Sequence, residues 1–529
     1  MTNQSHSERE TIVVLDFGGQ YKQLIARRVR ECHVYCEIHS YQTGLETLKA
    51  MNPKGIILTG GPNSVYDPAS PTYPQELFEA GIPILGICYG SQLMAYQCGG
   101  RVETAPASEY GRTDLTIDGA GSRLFADVTP ETTCWMSHTD YIEAPPEGFA
   151  VTAHTANCPV AAMEDPARRL YAVQFHPEVA HTPEGTKMLR NFVIDICGCA
   201  GSWQMDAFVD HTVVALREKI GSDRVLLGLS GGVDSTVAAV LLSRAVGKQL
   251  TCVFVDHGLM RKNEGDEVEA VFGPDGDFDL NFIRVNAGDQ YFKALKGVID
   301  PEQKRKIIGA LFVEIFGAEA KKLAAQGGFK YMAQGTIYPD VVESGVGSGG
   351  AVIKSHHNVG GLPKEMVTDL GFEETPIEPL CDLFKDEVRR AGLELGIPAH
   401  LVYRQPFPGP GLGVRIVGEV TPEKVAITQE ADAIFREELA NAGIDTGAGQ
   451  FFAALSNLRS VGVMGDGRTY DYAVVLRGVL TADFMTAEAA EIPWPVLQTC
   501  MNRIINEVKG VNRVMYDLTS KPPGTIEFE

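Results

Sequence analysis

Short apolar runs, set apart by polar turns rich in Gly and Pro, are the first regularity along the chain. Residues 11–15 are almost wholly apolar and predict a buried strand; residues 55–59, 82–87 and 171–175 repeat the pattern. Helical stretches fall between them, and the alternation predicts an α/β domain with a largely parallel sheet. The pattern breaks at residues 198–204, which read as a linker. A second set begins at Arg224, with strands at 225–229, 251–256 and 282–285 and an apolar helix over 237–246. Helices follow at 301–316 and 384–395, and residues 343–361, rich in Gly, Ser and His, read as a loop. The run QPFPGPGL at 405–412 excludes a helix or central strand, because proline lacks the N–H that either needs. Beyond it the pattern gives strand (414–418), helix (422–442), two strands (452–464 and 470–479), helix (494–508) and strand (511–517), a small α+β module.

Composition narrows the class of protein. The 529 residues suggest roughly two to four domains. An apolar content of 44% and a charged content of 22% are those of a globular chain. The formal net charge of −22 argues against a non-specific nucleic-acid binder, which needs a basic footprint. No apolar run approaches the roughly 18 residues of a membrane span, and the polar leader, residues 1–10, has no signal core and reads as disordered. Eleven scattered cysteines without a CxxC pair argue against a disulfide framework or a cysteine-pair zinc site, and point to the reducing cytoplasm.

Candidate chemistry begins at the string GICYGSQ, residues 86–92. Cys88 stands between an apolar strand and a helix read at 91–98, flanked by Gly86 and Gly90. Glycines permit a tight elbow, and a helix N-terminus favours a thiolate. The bland alternative is that Cys88 is one more buried cysteine. A partner base is offered by YAVQFHPE, where a strand ends in His176 and Glu178 follows two residues later, fit to orient the imidazole. His138 in the string MSHTD is the competing base. Gly60 and Gly61, at another strand end, offer backbone N–H groups to an oxyanion. Together these strings resemble the class I glutamine amidotransferases. The resemblance implies Cys88 as nucleophile, His176 as base, Glu178 as orienting acid, a thioester intermediate and ammonia as the useful product.

The string SGGVDST, residues 230–236, lies between a strand and a helix. Gly231 and Gly232 let backbone amides turn inward, and the hydroxyls of Ser230, Ser235 and Thr236 add donors. A Walker loop would end in Gly-Lys-Ser/Thr, which is missing here, so a metal ion and a distant lysine must balance the phosphates; Asp234 is fit to hold Mg²⁺. A plain Gly-rich turn is the alternative. The string resembles the loop of the N-type ATP pyrophosphatases, which implies ATP cleavage between the α and β phosphates. It also implies ATP contacts by Ser230, Gly231, Gly232, Val233, Asp234, Ser235 and Thr236, by Asp256 at the end of the second strand, and by Lys385 as the distal lysine.

Lys304, Arg305 and Lys306 make a basic cluster in an acidic chain, readable as a nucleotide-phosphate site or as a solvated helix face. The ordered terminal string KPPGTIEFE reads as part of a site rather than a frayed end. With QGTIYPD at 334–340, the proline-rich run at 406–412 and Gly465–Asp466, these strings resemble the GMP synthetase family along the whole chain. The resemblance implies glutamine-dependent amination of XMP to GMP, with ATP and Mg²⁺, through adenylyl-XMP and ammonia passed from the glutaminase site. It implies XMP contacts by Arg305, Asp466, Lys521 and Glu527, and a homodimer. The expected architecture is α/β: an amidotransferase domain (11–203) and an ATP pyrophosphatase domain (204–403), each with a mostly parallel sheet, plus a small C-terminal α+β dimerisation domain (404–529). The rival readings are another adenylating ligase such as NAD synthetase, a nucleotide-responsive regulator, and a plain glutaminase.

Overall fold

The computed structural model describes residues 9–118, 121–343, 372–373, 375–444, 449–464, 467–481 and 486–529. Asp466, most of the leader and nearly all of the loop read at 343–361 lie outside the described residues. The chain divides into two compact units, one running up to Phe208, the other over Val209–Tyr338 and resuming through to Glu529. Among the described residues no helix is long and apolar enough to cross a membrane.

The first unit is built on a nine-stranded sheet: β1 (Thr11–Asp16), β2 (Tyr35–Ser40), β3 (Gly55–Leu58), β4 (Ile84–Ile87), β5 (Arg101–Ile117), β6 (Glu131–Ala144), β7 (Ala150–His154), β8 (Ala162–Asp165) and β9 (Leu170–Val173). Their order across the sheet is β2-β1-β3-β4-β9-β8-β7-β5-β6. The first five are parallel; β8, β7, β5 and β6 extend the sheet antiparallel. The inner parallel strands β1, β3, β4 and β9 are buried on both faces, so they read as apolar runs, whereas the edge strand β2 is only half-buried. β6 instead buries alternate positions, among them Cys134, Met136, His138 and Asp140. The carboxyl ends of β3, β4 and β9 lie side by side, and that is where Gly60, Cys88 and His176 emerge.

The second unit holds two sheets. β10 (Val225–Leu229), β11 (Leu250–Asp256), β12 (Asn281–Asn286) and β13 (Tyr331–Ala333) form a parallel sheet ordered β12-β11-β10-β13. β14 (Gly449–Met464) and β15 (Gly467–Leu480) form a long antiparallel ribbon, joined by β16 (Glu488–Ala489) and, parallel to β15, by β17 (Val511–Tyr516). The helices Pro422–Asn441 and Trp494–Glu507 cover one face of the ribbon's inner half. Ile526 and Phe528 of the terminal segment close the other face over Phe452, Ala454 and Val479. One apolar core runs from Leu226 and Val253 through Leu412 and Phe435 to Val474 and Val511, so residues 209–403 and 404–529 share a single interior. The strand expected at 414–418 is absent: a 3-10 turn, Gly411–Val414, stands before it, and only Ile416 bridges, to Leu455. The buried guanidinium of Arg415, clamped to Glu527, and Gly418 at φ +80° stop the segment from extending into a ladder.

Candidate active sites

Cys88 ends the turn after β4 and caps the helix Tyr89–Gln97, at φ 52° and ψ −110°. For a residue with a Cβ this is strained backbone of the kind that a fold keeps at a nucleophile elbow. The surrounding glycines are required by packing: a Cβ on Gly86 would sit 2.6 Å from Gly90 O, and one on Gly90 2.6 Å from Leu58 O. Cys88 is only 7% exposed. Tyr89 begins the helix, where N–H groups lack intrahelical partners and the dipole favours negative charge.

His176 and Glu178 follow β9. His176 Nδ1 lies 2.7 Å from Glu178 Oε1, so the Nδ1–H donates to the carboxylate and leaves Nε2 for Cys88. Burial works against a charged imidazole. The Glu178 charge and hydrogen bonds to Cys88 and Glu178 outweigh it, holding His176 well above the usual histidine range. Glu178 is fully buried, and its Oε2 has no hydrogen-bond partner among the described residues. The ring is fixed from other sides too: His176 N–H donates to Trp135 O on β6 at 3.0 Å, Thr182 Oγ1 donates to His176 O at 2.6 Å, and Tyr21 meets the ring edge-on at 5.1 Å. A Cβ on Gly60 would lie 3.4 Å from His176 Cε1 and 3.7 Å from Cys88 Cβ, so this loop passes directly beside the pair. Gly61 packs as tightly, against Tyr89 and Phe17 O.

Of two residues absent from the expected set, one borders the thiol and the other holds that neighbour in place. Gln174 Nε2 lies 3.8 Å from Cys88 Sγ, and Gln92 Nε2 donates to Gln174 Oε1 at 3.1 Å. Their signal was in the strings already quoted: Gln174 stands two before His176, and Gln92 one helical turn after Cys88. His138, the competing base, has both ring nitrogens turned to other groups. Its Nδ1 is tied to Asp140 O at 2.9 Å and its Nε2 faces Glu109.

In the second unit the phosphate loop spans the end of β10 and the first turn of the helix Val233–Val246. Gly231 has φ +78°, open to glycine at little cost. Ser230 Oγ and Ser235 Oγ lie 2.9 Å apart, Ser235 Oγ donates to Gly232 O at 3.1 Å, and Gly232 N–H donates to Ser230 Oγ at 3.3 Å. Gly335 supports the loop from behind: a Cβ there would be 3.0 Å from Asp234 C and Ser235 N. Lys385, more than 150 positions along the chain, donates to Asp234 Oδ2 at 2.5 Å. Asp234 Oδ1 is buried without a partner among the described residues, an acceptor left over for a cation. Asp256 is not drawn to this loop; it accepts from Arg284 at 2.6 Å and from Gly258 N–H at 3.0 Å. His257, beside it, is an internal brace: its Nδ1 accepts from Leu259 N–H at 3.0 Å, and burial pushes its pKa down to about 4.

The residues expected at the acceptor site gather only in part. Arg305 donates to the backbone oxygen of Glu529, the terminal residue. Glu527 is held in a two-pronged contact by Arg415 Nε and NH2 at 2.9 and 2.8 Å. Lys521 pairs its backbone with Ala487. Lys304 is neither an open phosphate ligand nor a solvated lysine: it is fully buried and donates to Ile416 O at 2.8 Å and to the Glu529 side chain. Arg477, also buried, holds the tail through Thr525 O, Ile526 O and Asp517. Arg404 links the phosphate loop, through Gly231 O at 3.4 Å, to Glu264 at 2.9 Å.

Comparison with known proteins matches three stretches of the chain to family models. Residues 13–196 match the family model of class-I glutamine amidotransferases, residues 205–275 that of NAD synthase, and residues 437–528 that of the GMP synthase C-terminal domain. A glutamine-hydrolysing GMP synthase from Clostridium botulinum (strain Alaska E43) is 66% identical over 522 residues, covering 99% of this chain and 100% of the relative. One from Lachnospira eligens is 65% identical over 532 residues with the same coverage. One from Acetivibrio thermocellus is 60% identical over 520 residues, covering 98% of this chain and 99% of its own.

Proposed function

The chain belongs to the glutamine-hydrolysing GMP synthase family, and from that membership we propose which of its residues carry the reaction. The enzyme is a carbon–nitrogen ligase that aminates XMP to GMP, with glutamine as nitrogen donor and ATP cleaved to AMP and pyrophosphate. The observation that carries the residue assignment is the Cys88–His176–Glu178 alignment at the elbow, with its glycine walls. The Cys88 thiolate attacks the carboxamide carbon of glutamine, and the oxygen takes the negative charge beside the N–H groups of Gly60 and Gly61. The His176 imidazolium gives its proton to the departing nitrogen, which leaves as ammonia. Water, giving a proton back to His176, then opens the thioester and releases glutamate.

In the second unit the backbone and hydroxyls of residues 230–236 hold the pyrophosphate part of ATP, and Lys385 balances its charge. The unpartnered Asp234 Oδ1 fits Mg²⁺, which when bound neutralises phosphate charge. The O2 of XMP takes the adenylyl group, ammonia displaces AMP, and GMP results. Arg305, Lys521 and Glu527, with Asp466 beyond the described residues, are assigned to XMP; the clamp of Arg415 on Glu527 supports a fixed position for that carboxylate. Asp256 is assigned to the nucleoside side of ATP. The parts are taken as residues 11–203, 204–403 and 404–529. We place the enzyme in the cytoplasm as a homodimer without nucleic-acid partners, a reading supported by eleven free cysteines and the net charge of −22.

The test compares products from XMP, Mg-ATP and either glutamine or ammonium. Cys88→Ala is expected to lose glutamine use and keep ammonium-dependent GMP formation, whereas Asp234→Ala loses both. Equal loss with both donors in Cys88→Ala, or parent-rate synthesis from ammonium in Asp234→Ala, sinks the assignment.

A further inference from the structure

Behind the glutaminase centre, three buried side chains from separate elements meet without a role in the reaction above. Glu109 comes from β5, His138 from its partner position on β6, and Cys158 from the turn after β7. Their donor atoms all lie within 4.8 Å of one another, and the residues are 5%, 5% and 0% exposed. The orientation of His138 is settled by its neighbour: a carbonyl can only accept, so the 2.9 Å contact with Asp140 O places a proton on Nδ1. Nε2 then carries the lone pair of the neutral ring. That atom is buried and has no hydrogen-bond partner among the described residues, yet it stands 3.4 Å from Glu109 Oε2, another acceptor. Two acceptors facing each other in a buried interior repel unless a proton or a metal cation lies between them.

We propose that Glu109, His138 and Cys158 bind a thiophilic divalent cation of the zinc class. Imidazole, thiolate and carboxylate are the ligand set that zinc selects, and tetrahedral ligation spaces donor atoms by roughly 3.5 Å. The Nε2–Oε2 pair already has that spacing. The Cys158 Sγ, within 4.8 Å of both atoms, must move inward to close the third edge, and one bound water completes the shell. Binding releases the Cys158 S–H proton to solvent, so the ion is held by one thiolate, one carboxylate and one neutral imidazole.

The surroundings are those of an oriented ligand shell. The Asp140 carbonyl fixes the His138 ring. Thr155 Oγ1 lies 2.9 and 3.1 Å from the two Glu109 oxygens, and it also accepts from Cys158 N–H at 2.9 Å, so one hydroxyl sets two of the three ligands. The site is separate from the catalytic pair but shares β6 with it: Trp135 O receives the His176 N–H, and Ser137 O lies 3.8 Å from Cys88 Sγ. A bound ion therefore stiffens the strand against which the nucleophile and base are set.

The test uses the full chain carrying Cys88→Ala, so that the catalytic thiol cannot supply a ligand. After stripping with a chelator, the protein is titrated with Co²⁺ and then Zn²⁺. One Co²⁺ per chain with a thiolate-to-metal absorption band, displaced by Zn²⁺, is expected. Adding Cys158→Ser or His138→Gln is expected to remove the band and weaken binding at least tenfold, while Cys252→Ser, in the second unit, leaves both unchanged. Retained ammonium-dependent GMP synthesis reports that the second unit of each variant is intact, and circular dichroism reports the first. A readout without ligand variants comes from ¹¹³Cd bound to the Cys88→Ala chain, whose resonance distinguishes a sulfur-containing donor set from oxygen alone. No band, an oxygen-only cadmium shift, or a band indifferent to Cys158→Ser overturns the proposal and leaves a protonated His138–Glu109 ion pair as the occupant.

Discussion

His176 is held between opposing influences, and one substitution removes part of the balance. Burial disfavours its cation most, and the Glu178 charge together with the contacts to Cys88 and Glu178 outweighs it. Glu178→Gln keeps the size and removes the charge, so the imidazolium loses its largest support and the His176 pKa falls. Glutaminase kcat is expected to drop by about 10²–10⁴, with ammonium-dependent synthesis unchanged. The sign with pH follows from the same shift. A histidine raised in the folded state adds stability that is complete below its unfolded pKa, near 6.5, and is lost as pH rises through the folded value. The variant is therefore expected to lose more stability relative to the parent at pH 6 than at pH 9; urea titrations at both values check it, and a larger deficit at pH 9 contradicts it. His257 runs the other way. Its folded pKa of about 4 means the unfolded chain binds the proton first as pH falls from 6.5, so stability declines toward pH 4 by roughly 3 kcal/mol. His257→Gln, which can still accept from Leu259 N–H, is expected to flatten that decline in acid unfolding followed by fluorescence. The proposed triad was readable in the sequence because its pattern is local: Cys88 and His176 follow strand ends, and Glu178 follows the base by two. Arg415 and Arg477 were not, because their meaning lies in partners 112 and about 40–50 positions away and only folding pairs them.

At the scale of elements, both sites sit where strands end at glycines that leave no room for a side chain. Gly335 shows what that closeness does. It follows β13 and lies against the backbone of Asp234 and Ser235, with 3.0 Å left for a Cβ. Backbone cannot swing aside as a long side chain can, so Gly335→Ala must push the phosphate loop by a few tenths of an ångström. We expect a stability cost of about 1–3 kcal/mol. We also expect a rise in KM for ATP with glutamine and ammonium alike, while glutaminase activity in the first unit is spared. Unchanged ATP saturation would show that the loop tolerates the shift. The inner parallel strands were readable because both their faces are apolar; the half-polar edge strand β2 and the three-residue β13 were not. β5 and β6 were not, although β6 alternates cleanly, because its inner face carries His138 and Asp140 among apolar residues. A polar residue satisfied inside the fold looks, from sequence, like one facing water. The same blindness hid the Glu109–His138–Cys158 cluster, whose members come from three elements.

For the whole molecule, the open question of assembly turns on which apolar surface the chain leaves uncovered. The buried run of β15, Ala473 to Val479, does not call for a partner, since two helices cover one face and Ile526 and Phe528 close the other. Several apolar residues stand uncovered farther out on the same ribbon: Leu458, Val461, Val463 and Tyr470, between 51% and 75% exposed. They project from a sheet already paired within the chain, so association would be by side-chain packing on this outer half of the ribbon. A stable pairing needs about 1,200–2,000 Å² of buried surface, more than four side chains supply, so the flanking positions of the ribbon must join in. We expect light scattering to give a dimer at micromolar concentration, and Val461→Glu with Val463→Glu to give a monomer. Exposed charges there cost the monomer little, because surface substitutions usually stay within about 0.5 kcal/mol. Removing residues 404–529 is no substitute for this experiment, since they share one core with residues 209–403 and their loss would unfold it. If the dimer also steadies the terminal segment that carries Lys521 and Glu527, the monomeric variant will lose GMP synthesis from either nitrogen donor while glutamine hydrolysis persists. A doubly substituted chain that still dimerises moves the interface elsewhere; a monomer with full synthesis separates pairing from catalysis.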